Sequence, residues 1–371
     1  MPELPEVQTT VNGINEHIKG KPEILAVWSG YGVARKSFQK TSATNKAGAK
    51  TRVRAGAGSR AKIHPNSMQG IKNHDYFKRV FTPAVLGGKI EGASRRGKNV
   101  LIHLNNGNTI IIHMKMTGHI LYGKYEFKDG KNTKNSKSDK KNKTNKIGEW
   151  VPAENNSAKS KSLKKSTPTS PSTFVSPLHD PFNRHIRLVF TLSNGKHLVL
   201  CDTRKFAKVD VIETKNLHAS HHLVAIGPEP LDPTFTFEKF AERLGTKPNW
   251  KIKQALLDQE VLAGVGNIYS DESLWRASIH PTTLVRHVAK NIQKMEALYI
   301  AVKQVLSAGI DFGGDSMSDY RNILGEKGGF QEKHNAYRKA GKPCTFPGCG
   351  GTIKRIVVVG RGTHFCEEHQ K

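Results

Sequence analysis

The chain opens on Met1-Pro2-Glu3-Leu4-Pro5-Glu6-Val7, a stretch that can supply an unusual nucleophile. Methionine is readily trimmed before a small residue, which would leave Pro2 as a secondary amine with the Glu3 carboxylate beside it. An α-amino group titrates near about 7.7–8.0 and a lysine near about 10.4. At neutral pH much more of the former is uncharged and able to attack a carbonyl. A secondary amine that condenses with a sugar aldehyde gives an iminium, cationic without a further proton and therefore a strong electron sink. The same residues also suit a plain helix start, with Pro5 in the first turn.

A second chemical pattern closes the chain. Cys344-x4-Cys349-x16-Cys366-x2-His369 has the pair–spacer–pair layout of a tetrahedral, structural zinc site. The strand-like run Ile353 to Val359 between the pairs makes it a β-hairpin finger, too small to hold a core without its metal. His364 competes for the fourth position, but it sits one residue from Phe365-Cys366, an awkward place for a ligand. Cys201 stands alone in a strand and reads as an inert buried thiol.

Three further groups have chemical meaning. Lys98 ends Ser94-Arg95-Arg96-Gly97-Lys98, where three cations repel one another and favour a phosphate partner, unless this is only a solvated basic turn. Gly264-Val265-Gly266-Asn267 places glycines just before a helix, where backbone N–H groups can hold a phosphate; alone the signal is weak. Met116, in His113-Met114-Lys115-Met116-Thr117-Gly118, is either a core residue or an apolar wedge on a loop tip.

The elements that must position these groups fall into two halves. Val7, Val11, Ile14 and Ile18 lie at helical spacing and predict a helix anchoring the first residues. Period-two runs at 99–104, 109–114, 186–190 and 197–201 read as strands, with Asn105-Asn106-Gly107 and Ser193-Asn194-Gly195 as hairpin turns. From Phe237 onward helical spacing returns, at 237–244, 251–257, 267–275 and 291–308. The expected fold is α+β: an N-terminal antiparallel β-sandwich with a flanking helix (1–226), a helix–two-turn–helix region (227–330) and the finger (331–371).

Composition narrows the class. Fifty-nine basic residues face 31 acidic ones, a formal net charge of +28, which points to a polyanionic partner. No apolar run has the length of a membrane span, and the N-terminus lacks a signal-peptide pattern, so a soluble intracellular protein is expected. Residues 34–62 hold nine Lys or Arg and no acid, and 124–176 hold thirteen Lys against five acids. Both read as unstructured basic insertions, assigned to about 34–72 and 124–180, that touch phosphates or simply solubilise.

Taken together, these pieces resemble the bacterial formamidopyrimidine-DNA glycosylases, bifunctional enzymes that remove oxidised purines, over nearly all of the chain outside the insertions. Pro2 to Val7 is similar to that family's opening. Lys98 falls on its essential hairpin lysine, and Met116 on its intercalating methionine. Asp202-Thr203-Arg204-Lys205-Phe206 resembles the Asp-Pro-Arg-Arg-Phe segment whose Arg and Phe fill the gap left by a flipped nucleotide. Gly227-Pro228-Glu229-Pro230-Leu231 and Gly264 to Tyr269 match further segments, and Arg361 sits at the finger arginine.

The resemblance implies Pro2, Glu3, Lys98 and Arg361 as catalytic residues. It implies Met116, His185, Arg204, Phe206, Lys247, Lys253 and Asn267 as DNA contacts, and one structural Zn2+ on Cys344, Cys349, Cys366 and His369. It further implies a monomer acting on double-stranded DNA with oxidised bases at the nucleoid of a bacterial cytoplasm. Two departures stand out: the family finger usually carries four cysteines with two-residue gaps, and Asp-Pro-Arg-Arg has become Asp202-Thr203-Arg204-Lys205. Two other readings remain, an endonuclease VIII-like enzyme for oxidised pyrimidines, against which Leu4 argues, and a non-catalytic zinc-finger nucleic-acid-binding protein.

Overall fold

Helix α1 (Leu4–His17) begins where Glu3 caps it and Pro5 fixes its first turn. The Glu6 carboxylate closes the reciprocal half of the cap, accepting the Glu3 N–H at 2.7 Å. Val7, Val11 and Ile14 follow at i, i+4 and i+7 and are buried, so one stripe of the helix packs on the sheet below. The computed structural model describes residues 1–31, 70–128, 148–153, 176–317 and 319–371.

The strands are β1 (Ile24–Ser29), β2 (Ile90–Arg96), β3 (Asn99–Leu104), β4 (Asn108–His113), β5 (Gly118–Gly123), β6 (Tyr125–Lys128), β7 (Glu149–Pro152), β8 (Ile186–Leu192), β9 (His197–Asp202) and β10 (Lys208–Glu213). They form two antiparallel four-stranded sheets, in the orders β1-β8-β9-β5 and β10-β4-β3-β2. Asn105-Asn106-Gly107 turns β3 into β4 and Ser193-Asn194-Gly195 turns β8 into β9, as their composition predicts. Helical residues 74–85 (α2, His74–Tyr76; a π-turn, Phe77–Phe81; α3, Thr82–Val85) lead into β2.

Both faces of each sheet are covered at its centre, which is why the central strands β3, β4, β8 and β9 carry long apolar runs. Val100, Ile102, Ile110, Ile112, Leu188, Phe190, Leu198 and Leu200 point into the shared core. Leu101 and Ile111 point outward beneath Leu223 and Leu217, while Val189, Val199 and Cys201 lie beneath Tyr125 and Trp150.

The insertion boundaries need correction. Most of the first insertion, and 129–147 and 154–175 of the second, lie outside the described residues. Parts of the second are structured, however: β6 at its start and β7 in its middle pair as a hairpin, and the rings of Trp28, Phe127 and Trp150 pack 5.7–6.4 Å apart, Trp150 edge-on to the other two. Ile71, inside the first assigned range, is a buried core residue.

The helices α4 (Phe237–Gly245), α5 (Ile252–Leu257), α6 (Asn267–Arg276), α7 (Val285–Ala289) and α8 (Ile292–Asp311) enclose a second core. Leu4 belongs to this second core, whereas Val7, Val11 and Ile14 belong to the first. One helix therefore bolts the two halves together. The finger hairpin pairs β11 (Ile353–Val358) with β12 (Arg361–Cys366), and Trp275 of α6 completes its small core. Among the described residues no helix is long and apolar enough to cross a membrane.

Candidate active site and nucleic-acid interface

The N-terminus is held at the junction of the two cores. The Leu4 N–H donates to the Gly264 carbonyl at 3.0 Å. The Glu3 carboxylate sits on the N-terminus of α6, accepting from the N–H groups of Ile268 (3.0 Å) and Tyr269 (3.4 Å), where the helix dipole favours negative charge. The glycines of Gly264-Val265-Gly266 are needed for this approach. A Cβ on Gly266 would stand 2.3 Å from the Glu3 carboxyl carbon, and one on Gly264, whose φ is +82°, would stand 2.6 Å from Leu4 Cβ. The glycines before α6 thus admit a side chain of the protein itself, a carboxylate in place of the phosphate considered from sequence.

Lys98, at the β2–β3 turn, is buried and donates to the Val265 carbonyl at 2.9 Å. Burial pulls its pKa down from the ordinary lysine value, against the charges of Glu3 and Glu6. Burial also pushes the Glu3 pKa up, opposed by Lys98 and by the Ile268 N–H. Glu6, buried behind Glu3, accepts from the Tyr269 hydroxyl at 2.6 Å and from the Asp315 N–H at 2.8 Å. Burial and the neighbouring Glu3 raise it to about 7. Met1, Pro2, Glu6, Met116, Ile268, Asp315 and Tyr320 line the adjoining cleft. Sequence reasoning passed over Glu6 and Tyr269, although Glu3-x-x-Glu6 has capping-box spacing.

Arg95 and Arg96 are committed elsewhere. Glu229 pairs with both, at 2.5 and 3.0 Å, and accepts the Gly97 N–H at 2.6 Å. The repulsion read from this triplet is thus relieved by a glutamate 133 residues from Arg96.

Asp202 organises the exposed tip residues. Its fully buried carboxylate accepts from Thr117 Oγ1 at 2.7 Å, Tyr31 Oη at 3.0 Å and Ala207 N–H at 2.8 Å, and Thr117 Oγ1 in turn accepts the Arg204 N–H at 3.1 Å. Met116, Arg204 and Phe206 thereby project together, 37% of Met116 and 47% of Phe206 remaining exposed, with the Arg204 guanidinium 4.6 Å over the Phe206 ring.

Helix α6 also holds the finger. Asn267 Nδ2 donates to the Gly362 carbonyl at 3.0 Å. Asp271 accepts from Lys253 Nζ at 2.5 Å and from the His364 N–H at 2.9 Å, and Lys253 donates to Thr363 Oγ1 at 2.8 Å. Glu272 receives the N–H groups of Asn335, Ala336 and Tyr337 at 2.9, 3.0 and 2.7 Å. These contacts carry Arg361, exposed at the start of β12, close enough for its charge to act on Lys98 and Lys253. Lys253 is itself fully buried in its ion pair rather than presented at the surface, so it departs from the position of a backbone contact. Lys247 lies outside the cluster, 4.7 Å over the Trp250 ring, whereas the His185 carbonyl accepts the Asp202 N–H at 2.8 Å and so joins the network under the exposed tip.

Cys344, Cys349, Cys366 and His369 converge, with potential ligand atoms all within 4.8 Å of one another. Cys349 and Cys366 sulfurs are 3.6 Å apart, near the edge of about 3.8 Å expected for a tetrahedron with Zn–S bonds of about 2.3 Å. His369 Nε2 lies 3.1 Å from the Trp275 carbonyl, which leaves Nδ1, 3.4 Å from Cys344 Sγ, for the metal. His364 turns its Nδ1 to Asp271 at 3.2 Å instead. The cluster can hold a metal ion, and three thiolates with one imidazole fit zinc.

Residues 43–209 match the formamidopyrimidine-DNA glycosylase N-terminal domain, and 226–321 match the formamidopyrimidine-DNA glycosylase H2TH domain. The formamidopyrimidine-DNA glycosylase of Desulfitobacterium hafniense is 30% identical over 368 residues, covering 99% of this chain and 98% of that one. Its counterpart in Herpetosiphon aurantiacus is 33% identical over 77% of this chain and 83% of its own. Among solved structures, the MutM (Fpg) protein of Thermus thermophilus has a TM-score of 0.63 at 27% identity, covering 100% of this chain and 98% of that one. A Lactococcus lactis Fpg mutant in complex with Fapy-dG-containing DNA shares the fold at TM-score 0.67 and 24% identity, each chain covered completely. The chain belongs to the formamidopyrimidine-DNA glycosylase family of DNA-repair enzymes.

Proposed function

We propose that the protein excises oxidised purines, 8-oxoguanine and formamidopyrimidines, from duplex DNA and then cuts the abasic strand by β,δ-elimination. The observation that carries this reading is the Glu3 carboxylate, buried on the start of α6 with Lys98 and Pro2 beside it. The DNA complexes of the Lactococcus relative support the choice of partner.

The damaged base lies inside the stack and has to be flipped out. Met116, Arg204 and Phe206 fill the vacated space. Glu3, its pKa raised by burial, protonates the sugar ring oxygen. The Pro2 nitrogen, freed of Met1, bonds to the anomeric carbon as the base leaves with its bonding pair and takes up a proton. The C1′–O4′ bond then breaks, its electron pair going to the oxygen that Glu3 protonates, and the ring-opened iminium acidifies C2′. Water takes the C2′ proton as the 3′ phosphate leaves with its bonding pair. Loss of the C4′ proton and the 5′ phosphate follows as δ-elimination, and water hydrolyses the iminium to free Pro2. Lys98 assists base departure or proton transfer. Arg361 and Asn267 hold phosphates, Arg361 also donating a proton in the second elimination, with Lys247 and His185 as outer backbone contacts and Lys253 acting through its buried pair. A structural Zn2+ on Cys344, Cys349, Cys366 and His369 would fix the hairpin that aims Arg361. The enzyme works as a monomer on the nucleoid, in the bacterial cytoplasm.

Borohydride added during incubation with a duplex carrying 8-oxoguanine opposite cytosine is expected to trap a covalent adduct at Pro2. A panel of oxidised purines and pyrimidines should show base release from the purines first. Absence of an adduct with every oxidised base defeats the lyase reading, and trapping that persists in a chain extended before Pro2 assigns the nucleophile to another amine.

A further inference from the structure

The outer side of β10 carries ligating side chains that none of the chemistry above employs. Asp210 lies on this edge strand, and His221 and His222 lie in the turn that follows the 3-10 helix Thr214–Ala219. One potential ligand atom from each of the three falls within 4.8 Å of the other two. His222 Nε2 is 3.1 Å from Asp210 Oδ2, and the two imidazole rings lie 3.8 Å apart between centroids, inclined by 39°. The other carboxylate oxygen is already occupied, since Asp210 Oδ1 accepts from the Val211 N–H at 2.8 Å and from the Tyr76 hydroxyl.

A hydrogen bond between His222 and Asp210 accounts for that pair, but it gives no role to a second imidazole held against the first. A metal ion does. Bonds of about 2.0–2.2 Å to nitrogen and oxygen set tetrahedral neighbours about 3.3 Å apart, close to the 3.1 Å between His222 Nε2 and Asp210 Oδ2, with the His221 nitrogen within 4.8 Å of both. Hydrogen bonds that engage one carboxylate oxygen and leave the other facing the site are the usual support of a ligating carboxylate. Imidazole and carboxylate donors together suit zinc, nickel or cobalt. Lys208, two residues along the strand, is the cation that opposes a dication here; it is exposed, so solvent screens it.

We propose that Asp210, His221 and His222 form a second divalent-metal site, of the Zn2+ class, with a water completing the coordination. A metal bound there fastens the 219–226 turn to the edge of the sandwich. The same turn delivers the Ile226 and Gly227 carbonyls to Arg96, at 2.6 and 2.8 Å, where the sandwich meets the helical half. The site therefore stiffens the passage between the two cores, and it does not depend on the catalytic reading.

Equilibrium dialysis of the full chain against micromolar Zn2+, followed by metal analysis, tests this. The expected result is two zinc ions per chain for the native protein and one for the His221→Ala/His222→Ala double variant, with its circular dichroism unchanged. Asp210→Asn, which keeps the Tyr76 contact and most of the shape, should weaken the second ion at least tenfold. One zinc in the native protein, or two in the double variant, overturns the proposal.

Discussion

Glu6 is the residue whose protonation is most exposed to experiment. Its folded pKa is raised to about 7 from an ordinary value of 4.5, with burial as the main cause and Glu3 second. A carboxyl raised in this way favours the folded state while protonated, and that advantage is lost as pH rises from about 4.5 through about 7. Glu6→Gln removes the ionisation and keeps much of the shape. The difference in Tm between variant and native protein should therefore move in the variant's favour between pH 5 and pH 8, by the equivalent of up to about 3 kcal/mol. A difference that stays flat, or moves the other way, would mean that Glu6 is already ionised at pH 5.

At the scale of elements, the start of α6 is built to accept a carboxylate from a distant part of the chain. Gly266→Ala should push Glu3 out of its cradle, because the new methyl would meet the carboxyl at 2.3 Å. Single-turnover base release is expected to fall by about 10²-fold, a typical contribution of a placed general acid, while affinity for undamaged duplex changes little. An equal loss in both would show that the glycine serves DNA binding. Much of this element level was legible beforehand. The helices at 237–245 and 267–276 announce themselves because their apolar residues recur three and four apart, and the Asn-Gly turns fix two hairpins. What could not be read has a common cause in distance. Glu229 neutralises Arg95 and Arg96, and Asp271 holds Lys253 and His364, through contacts 18 to 134 residues apart that leave no local pattern. The β6–β7 hairpin was hidden for a different reason: two four-residue strands flank a lysine-rich stretch whose composition drowns the alternation.

For the molecule as a whole, α6 is the common post. Its first residues carry Glu3, its middle carries Asp271 and Glu272, and its last turn brings Trp275 to Cys344, the indole N–H donating at 3.3 Å. Asp271→Asn should leave the fully buried Lys253 without its counter-ion and slacken the finger at once. A cost of about 3–5 kcal/mol in unfolding free energy is expected, with weakened DNA binding in whatever remains folded. Denaturant titration measures the first and gel shift at fixed salt the second; unaltered stability would mean that Lys253 is neutral in the native protein.

The bond between Leu4 and Gly264 also sets an order of events during synthesis. Helix α1 cannot finish docking until some 260 further residues have been made, because Leu4 completes a core contributed by α4 to α8. Contacts of such sequence separation close slowly. Leu4 therefore waits uncovered while the sandwich closes over Val7, Val11 and Ile14, and any fragment that stops short of Ile268 and Tyr269 is made with Glu3 unable to find its place.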